Sequence, residues 1–194
     1  MDPVRAYYLP TDSTSAIDAS GPPVSVEQLD ALGWKISNVG DSPDEVEQAG
    51  RKLAQELGFP VTQKGCSLPF SFNPEQNAAM MDPEMVALLM KAVKVNNGDM
   101  GFANEFVIAI TNGAKPYFDV EDVATAGWIR VHFAVGRFVI SAPTGAKFRL
   151  PFDEHNRESV GTVFFKETLS NHGLLVKEEI DNHPARKAYV NAHT

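Results

Sequence analysis

The histidines are the side chains of this sequence best suited to holding a metal ion or moving a proton, because imidazole can do both near neutral pH. The 194 residues include only five histidines, and only the last two lie within ten residues of each other. This wide spacing matches no local metal-binding or acid–base motif. We predict that His132 lies on the outer face of a strand, because it alternates with the apolar residues of GWIRVHFAV (127–135). The others are expected in loops, at a helix start or in the tail: His155, His172, His183 and His193.

Cysteine chemistry is equally sparse. Cys66 is the single cysteine, which rules out an intramolecular disulfide and a cysteine-based zinc cluster. The surrounding stretch KGCSLPF has no histidine or helix start that would activate a thiolate, so we expect a structural role. The sequence also contains no phosphate-binding loop, dinucleotide fingerprint or EF-hand loop. A formal net charge of −8 without a Lys/Arg-rich run argues against nucleic acid and an anionic membrane surface as partners.

The elements that must position these residues fall into two halves, and helices dominate the first. Serine caps, together with a Ser-Pro and an Asp-Pro dipeptide, mark the predicted helix starts. The predicted elements are a strand at 4–9, a helix capped by Ser25 and ending at Gly33, a strand at 34–37, a helix from Ser42 to about Leu57, an irregular stretch at 60–74 and a helix from Asp82 to about Val95.

From Met100 onward, the apolar residues change from a helical period to the alternation of strands. Six short segments separated by turn residues are typical of an antiparallel sandwich or barrel. These segments are 106–110, 115–121, 127–135, 137–142, 147–152 and 162–167. Asn182 is predicted to cap a terminal helix. We therefore predict one mainly β domain with flanking helices (α+β), composed of a helical and strand N-terminal half at 1–98, a barrel at 99–181 and a helix with a tail at 182–194.

Two stretches of the second half resemble the motifs of the cupin double-stranded β-helix barrel, H-x-H-x3-E-x6-G and G-x6-P-x-G-x2-H. The second motif is matched by Gly136, Pro143 and Gly145, and Gly113 fits the end of the first. Within the cupins, the chain resembles the acireductone dioxygenases, the metal enzymes of methionine salvage. The stretches that carry this resemblance are VRAYYL (4–9), VSVEQLDALG (24–33), PYFDVED (116–122), GWIRV (127–131), SAPTGAKFRL (141–150) and DNHPARKAYV (181–190).

The resemblance implies metal-binding positions that this chain fills with other residue types. The family holds Ni or Fe with three histidines and one glutamate, ligand types that borderline divalent metals prefer. The matching positions here are Met100, Phe102, Phe106 and Phe148. Two arginines of the family correspond to Ile108 and Val163. The resemblance therefore predicts a barrel that binds no metal ion and no other cofactor, and that has no dioxygenase activity.

Strand alternation also predicts an apolar barrel interior. The even-numbered residues from 100 to 110 are predicted to point to one face of a strand. Asn104 is the polar residue of this set, and the others are apolar: Met100, Phe102, Phe106, Ile108 and Ile110. Each buried phenylalanine stabilises a fold by about 1.5–3 kcal/mol, whereas an unoccupied His/Glu cluster costs desolvation. We expect this set, Phe148 and Val163 to line the lumen, with Asn104 and Glu105 at its edge.

Three functions remain open at this point. The favoured one is a metal-free, acireductone-dioxygenase-like pseudoenzyme that binds protein partners as an accessory or structural subunit of a larger assembly. The second is a metal-independent enzyme or binder whose apolar lumen positions a hydrophobic small molecule for cyclisation or isomerisation. The least favoured is an active acireductone dioxygenase. A void above about 300 Å³ in the lumen would favour the second function, and a lumen closed by phenylalanines the first.

The N-terminal sequence bears on location. The first thirty residues contain one basic residue, Arg5, and no apolar segment of the kind found in signal peptides. No window of about 20 apolar residues is present, which is the length that a membrane-spanning helix requires. We therefore expect a cytoplasmic protein without membrane insertion.

Overall fold

Twelve strands form two antiparallel sheets in the part of the chain that the structure, a computed structural model, describes. The described residues are 4–10, 21–39, 42–80, 83, 86–87, 99–113, 116–134, 137–149, 156–167 and 174–194. The strands are β1 (Val4–Tyr8), β2 (Pro23–Val24), β3 (Lys35–Ser37), β4 (Ser67–Ser71), β5 (Asp99–Phe102), β6 (Phe106–Asn112), β7 (Tyr117–Asp122), β8 (Gly127–Phe133), β9 (Phe138–Ala142), β10 (Lys147–Arg149), β11 (Val160–Phe165) and β12 (Leu174–Val176).

The two sheets share one apolar interior. The larger sheet has the order β12-β5-β10-β7-β8-β1-β2, and the smaller has the order β3-β9-β6-β11-β4. Inward-facing side chains of both sheets form a single hydrophobic cluster that includes Val120, Ile129, Ile108 and Ile140. The flanking helices are α1 (Val26–Ala31), α2 (Pro43–Glu56), α3 (Pro74–Met80), α4 (Lys177–Asn182) and α5 (Pro184–His193). The prediction of a mainly β fold with flanking helices is confirmed.

Strand β6 shows how alternation divides the interior from the outer layer. Phe106, Ile108 and Ile110 belong to the cluster between the sheets, whereas Val107 and Ala109 face the other way. Helix α2 covers these outward-facing residues and closes a second hydrophobic cluster. The other buried members of this second cluster are Val46, Ala54, Phe59, Val61, Val139 and Phe164.

The first two helices begin where the sequence predicts. Ser25 and Ser42 each accept a hydrogen bond from the backbone N–H three residues later, and the side chains of Gln28 and Glu45 accept from the serine N–H in return. These reciprocal pairs are capping boxes, which satisfy N–H groups that a helix start leaves without partners. Gly33, at φ +84°, provides the left-handed turn after α1.

The prediction that residues 60–74 are irregular is wrong, because β4 lies within them and pairs with β11. Pro69 obscured this strand, since proline interrupts a strand pattern, but an edge strand tolerates its missing N–H. The side-chain amide of Asn77, in α3, accepts from the Ser71 N–H and donates to the Ser71 carbonyl. This contact closes the open edge of β4 at that residue, as a neighbouring strand would.

The start of the terminal helix also differs from the prediction. His183, not Asn182, is the N-cap of α5, and its Nδ1 accepts from the Ala185 N–H at 3.2 Å. Proline at the first helical position follows His183 directly, which fixes the start there. Helix α4 precedes it, so the segment assigned to the barrel, 99–181, ends in a helix.

The residues predicted to share one face between 100 and 110 lie on two strands. Met100 and Phe106 do not continue one face of one strand, because β5 and β6 belong to different sheets and residues 103–105 separate them. The parity rule applies only within a strand, and the turn between β5 and β6 interrupts it. The helix predicted for residues 82–95 lies mostly outside the described residues. Within this range the structure describes residues 83, 86 and 87, and all three are helical.

Candidate functional site

The four positions that the family resemblance identifies with metal ligands lie on strands of both sheets, and backbone pairing joins two of them directly. Phe148 on β10 lies opposite Met100 on β5, and the next strand, β12, places its first residue opposite Phe102. Phe106 begins β6 in the facing sheet. For Met100 and Phe102, the described structure is limited to the backbone, so the side-chain geometry of the site is that of Phe106 and Phe148.

Phe106 and Phe148 pack against each other in the interior. Their ring centroids are 5.7 Å apart with an interplanar angle of 42°, and the residues are only 2% and 4% exposed. Aromatic pairs at this separation stabilise beyond their buried area by about 0.5–1.5 kcal/mol. Two of the four positions are thus occupied by a buried aromatic contact that offers no electron pair to a metal ion.

Trp34 completes this contact, and the sequence analysis did not identify it. Its ring lies 6.1 Å from that of Phe148 in an edge-on arrangement and 5.7 Å from that of Phe118. Trp34 is 2% exposed and immediately precedes β3. The sequence signal for a buried residue here was a tryptophan directly after Gly33, which ends the helix. Its contacts with Phe148 and Phe118 could not be inferred, because these partners are distant in sequence. We call Trp34, Phe106 and Phe148 the aromatic plug.

The positions of the two family arginines are also buried and apolar. Ile108 and Val163 face each other on β6 and β11 and are 8% and 7% exposed. A cavity of about 10 Å³ lies next to Ile108 in the interior. This volume is at the lower limit for one water molecule. Its lining consists of Phe72, Ile108, Ile110, Pro116, Tyr117, Phe118, Phe133, Phe138 and Ile140.

The predicted edge residues lie in the turn between β5 and β6. Asn104 and Glu105 are both half-buried. Glu105 forms an ion pair with Lys166, at 3.5 Å between Oε2 and Nζ. Such a partly exposed pair contributes little to stability, about 0–1 kcal/mol.

A cluster of polar and aromatic residues occupies the outer face of the larger sheet. Arg130 makes two hydrogen bonds to the Asp119 carboxylate, at 2.7 and 2.9 Å, and its guanidinium lies 4.4 Å from the Tyr117 ring centre. Burial lowers the pKa of Arg130, but the hydrogen bond and charge of Asp119 outweigh it, so the pKa lies above its usual value. His132 is on the outer face, as predicted, but it is hydrogen-bonded to Tyr7 rather than simply solvated.

Helices α4 and α5 are attached to the larger sheet by two ion pairs. Arg186 Nη2 lies 2.5 Å from Glu121 Oε2, and Nη1 donates to the Gly145 carbonyl at 3.3 Å. Lys147 pairs with Asp181. Arg186, Glu121 and Lys147 are largely buried, so these pairs depend on correct docking of the helices.

Two tyrosine hydroxyls, one near each end of the chain, form hydrogen bonds to residues that are distant in sequence. Tyr8 donates to Asp122 at 2.6 Å, and this hydrogen bond, with burial and the carboxylate charge, raises the pKa of Tyr8 to about 12. Burial opposes ionisation of Asp122, but hydrogen bonds from Tyr8 and Thr125 outweigh it and lower the Asp122 pKa. Tyr189 in α5 donates to the Leu32 carbonyl at 2.8 Å, and burial raises its pKa.

The cysteine and the two C-terminal histidines lie in environments that suit a role in folding, either buried or in contact with the backbone. Cys66 is fully buried, and burial raises the pKa of its thiol. His183 caps α5, and Nδ1 of His193 lies 2.7 Å from the Tyr189 carbonyl oxygen. His155 and His172 lie outside the described residues.

Two kinds of feature are absent from the part of the chain that the structure describes. No three His, Cys, Asp or Glu side chains there lie close enough together to hold one metal ion. None of the helices described is long and apolar enough to cross a membrane.

Comparisons with known proteins identify the fold. No family model and no curated protein matches the sequence. Among solved structures, the chain is similar to an acireductone dioxygenase from Bacillus anthracis with a cadmium ion in its active centre. Sequence identity is 14% at a TM-score of 0.51, and the match covers 85% of this chain and 94% of that chain. At this identity the likeness establishes the fold alone, which is a cupin-like β fold with flanking helices.

Proposed function

We propose that this chain is a metal-free, acireductone-dioxygenase-like pseudoenzyme that acts by binding, as an accessory or structural subunit of a larger protein assembly. The observation that carries the proposal is the packing of Phe106 against Phe148 at two positions where the family resemblance puts metal ligands. Ni and Fe require nitrogen or oxygen donors of the kind that imidazole and carboxylate supply. The aromatic plug therefore does not fit such an ion.

Energetics support the same interpretation. A buried phenylalanine stabilises a fold by about 1.5–3 kcal/mol, whereas buried histidine and glutamate side chains cost free energy unless a ligand or partner satisfies them. An enzyme would have polar, less stabilising side chains at these positions, because its reaction requires them. The aromatic plug instead stabilises the barrel. This choice of residues suits a scaffold.

The size of the described cavity favours a scaffold over a small-molecule binder. Pockets that hold drug-sized ligands measure about 300–1,000 Å³. The cavity beside Ile108 measures about 10 Å³, which leaves no room for a hydrophobic substrate. This size supports the proposal that binding takes place on the outer surface, with the barrel as a rigid support.

Metal content and activity provide the first test. The chain is produced in medium supplied with Ni and Fe salts, its metals are quantified by mass spectrometry, and acireductone consumption is measured. An active acireductone dioxygenase treated in parallel is the positive control. We expect far less than one equivalent of metal and no turnover. One equivalent of Ni or Fe with acireductone turnover would overturn the metal-free assignment.

A variant that introduces two histidines at positions identified with metal ligands tests whether a few substitutions are enough to give dioxygenase activity. We expect Phe102→His with Phe148→His to give no acireductone turnover, because two imidazoles without the third histidine and the glutamate leave an incomplete donor set. The single variant Phe148→His is the matched control for any change in folding. Measurable turnover by the double variant would contradict the proposal.

The assembly role is tested separately. The tagged chain is isolated under mild conditions from the cells in which it occurs naturally, and the native mass and composition of the complex are measured. We expect a complex of fixed stoichiometry that contains other proteins. Recovery of the chain as a free monomer would overturn the subunit role.

A further inference from the structure

Tyr7 and His132 form a close pair on the outer face of the larger sheet. Tyr7 Oη lies 2.6 Å from His132 Nε2, and the two rings stack with centroids 5.5 Å apart at 21°. On its other side, His132 stacks against Tyr117 at 5.3 Å and 26°. The strand register places Tyr117 opposite His132 on one side. On the other side Tyr7, which lies opposite Arg130, is the diagonal neighbour of His132. The imidazole is therefore held between two phenol rings.

Three of the four tyrosines, Tyr7, Tyr8 and Tyr189, differ in the group that faces their hydroxyls. Tyr8 donates to the carboxylate of Asp122 and Tyr189 to the Leu32 carbonyl, whereas Tyr7 is paired with an imidazole nitrogen. A phenol that loses one electron becomes a strong acid, so its oxidation is easiest where a base can take the proton. Imidazole, with an ordinary pKa of about 6.5, is a stronger base than a carboxylate at about 3.9. A peptide carbonyl is far weaker than either.

We propose that Tyr7 and His132 form a proton-coupled electron-donor site for one-electron oxidants. With the neutral imidazole protonated on Nδ1, the Tyr7 hydroxyl donates to Nε2. In the step, one electron leaves the Tyr7 phenol for an outer-sphere one-electron oxidant, and the hydroxyl proton moves to Nε2. The products are a neutral tyrosyl radical, an imidazolium and the oxidant reduced by one electron. Reduction by a one-electron donor, such as a thiolate, returns the proton to Tyr7 Oη.

The surroundings suit such a step. Tyr7 is 8% exposed, so its radical would be shielded from radical coupling in solution. His132 is half-buried, which leaves a route for the imidazolium proton to exchange with water. Nearby Arg130 is charge-compensated by its two hydrogen bonds to Asp119. This site is independent of the aromatic plug and of the proposed scaffold function.

Oxidation with a photogenerated ruthenium(III) tris-bipyridine complex tests the proposal, with the radical identified by freeze-quench electron paramagnetic resonance. We expect a tyrosyl signal from the unaltered chain that Tyr7→Phe removes. The matched variants Tyr8→Phe and Tyr189→Phe should keep it, since their hydroxyls face weaker bases. A signal of unchanged yield in Tyr7→Phe would overturn the proposal.

The role of His132 has its own readout. Because a well-placed base contributes about 10²–10⁴-fold to a proton-transfer step, His132→Ala should slow radical formation by about 100-fold, and added imidazole should restore part of the rate. Solvent deuterium gives a readout that needs no variant, since oxidation of the unaltered chain should be slower in D2O. Equal rates in H2O and D2O, or an unchanged rate in a folded His132→Ala chain, would sink the proposal.

Discussion

At the scale of single residues, a metal site and a hydrophobic core place opposite demands on the same positions. Metal ligands need lone pairs and tolerate poor packing, whereas core residues need volume and no polar atoms. Phe106 and Phe148 satisfy the second demand, since both are buried and in contact. The residue types alone predicted apolar side chains at these two positions, where the family resemblance implies metal ligands. The participation of Trp34 depended on the fold, because it comes from a distant part of the sequence.

Truncation of the aromatic plug should be costly. Phe148→Ala is expected to lower the free energy of unfolding by about 3–5 kcal/mol, because it removes apolar area and leaves a cavity between Trp34 and Phe106. The control Phe148→Leu keeps most of the volume and should cost about 1.5 kcal/mol or less. Urea denaturation measures both. A loss under about 1 kcal/mol for the alanine variant would contradict a packed interior at this position.

The Tyr8–Asp122 hydrogen bond should appear in alkaline titration. The pKa of Tyr8 in the folded chain is about 12, above its usual value near 10, so the stabilisation is complete below about pH 10 and is lost as the pH rises through 12. Ultraviolet titration of phenolate should show a late step near pH 12 that Tyr8→Phe removes, while the still later ionisation of Tyr189, whose pKa is raised by burial, remains. Asp122→Asn should move this step towards pH 10 because it removes the carboxylate charge. A Tyr8 step near pH 10 in the unaltered chain would be inconsistent with the hydrogen bond.

At the scale of elements, helices α4 and α5 illustrate what local sequence signals do and do not determine. Proline at the first turn of α5 predicts a helix there, and the structure places its start one residue later than expected, with His183 as the cap. Its docking depends on Gly145, where an added Cβ would lie 2.3 Å from the Ala185 carbonyl oxygen. Arg186 then reaches Glu121 on β7. This long-range pairing could not be read from the helix itself.

The Arg186–Glu121 ion pair gives an element-scale prediction. Arg186→Met should lower the free energy of unfolding by about 3–5 kcal/mol, because it leaves Glu121 as a buried charge without its partner. The double variant Arg186→Met with Glu121→Gln removes both charges and should be more stable than the single variant. Thermal and urea unfolding of the three chains measures this difference. A double variant less stable than Arg186→Met would contradict the explanation.

At the scale of the whole molecule, the inward-facing side chains that the structure describes on the two sheets pack into one hydrophobic interior. The cavity of about 10 Å³ beside Ile108 is small because rings from both sheets meet there, Phe118 and Phe133 from the larger sheet and Phe138 from the smaller. Close packing at this density is the normal condition of a protein core rather than of a binding pocket. This packing supports the proposed use of the cupin-like fold as a scaffold.

The proposed filled lumen predicts how the molecule responds to small apolar ligands. Benzene should leave the unfolding temperature of the unaltered chain unchanged, because the cavity described beside Ile108, about 10 Å³, is far smaller than benzene. In Phe148→Ala, the new apolar cavity should bind benzene and raise the unfolding temperature with ligand concentration. Phe148→Leu serves as the size control. Equal stabilisation of the unaltered chain by benzene would show an open lumen and favour the small-molecule function.

The sequence by itself determined the elements with strong local signals, namely the capped helices α1 and α2 and most barrel strands, because capping and alternation depend on nearby residues. It also determined the residue types at the four positions that the family resemblance identifies with metal ligands. It missed β4, where Pro69 interrupts the strand pattern and pairing with β11 outweighs it. Only the tertiary structure decided that Trp34 meets Phe148 and that Tyr7 meets His132, since these contacts arise from strand register and sheet packing between residues far apart in the chain.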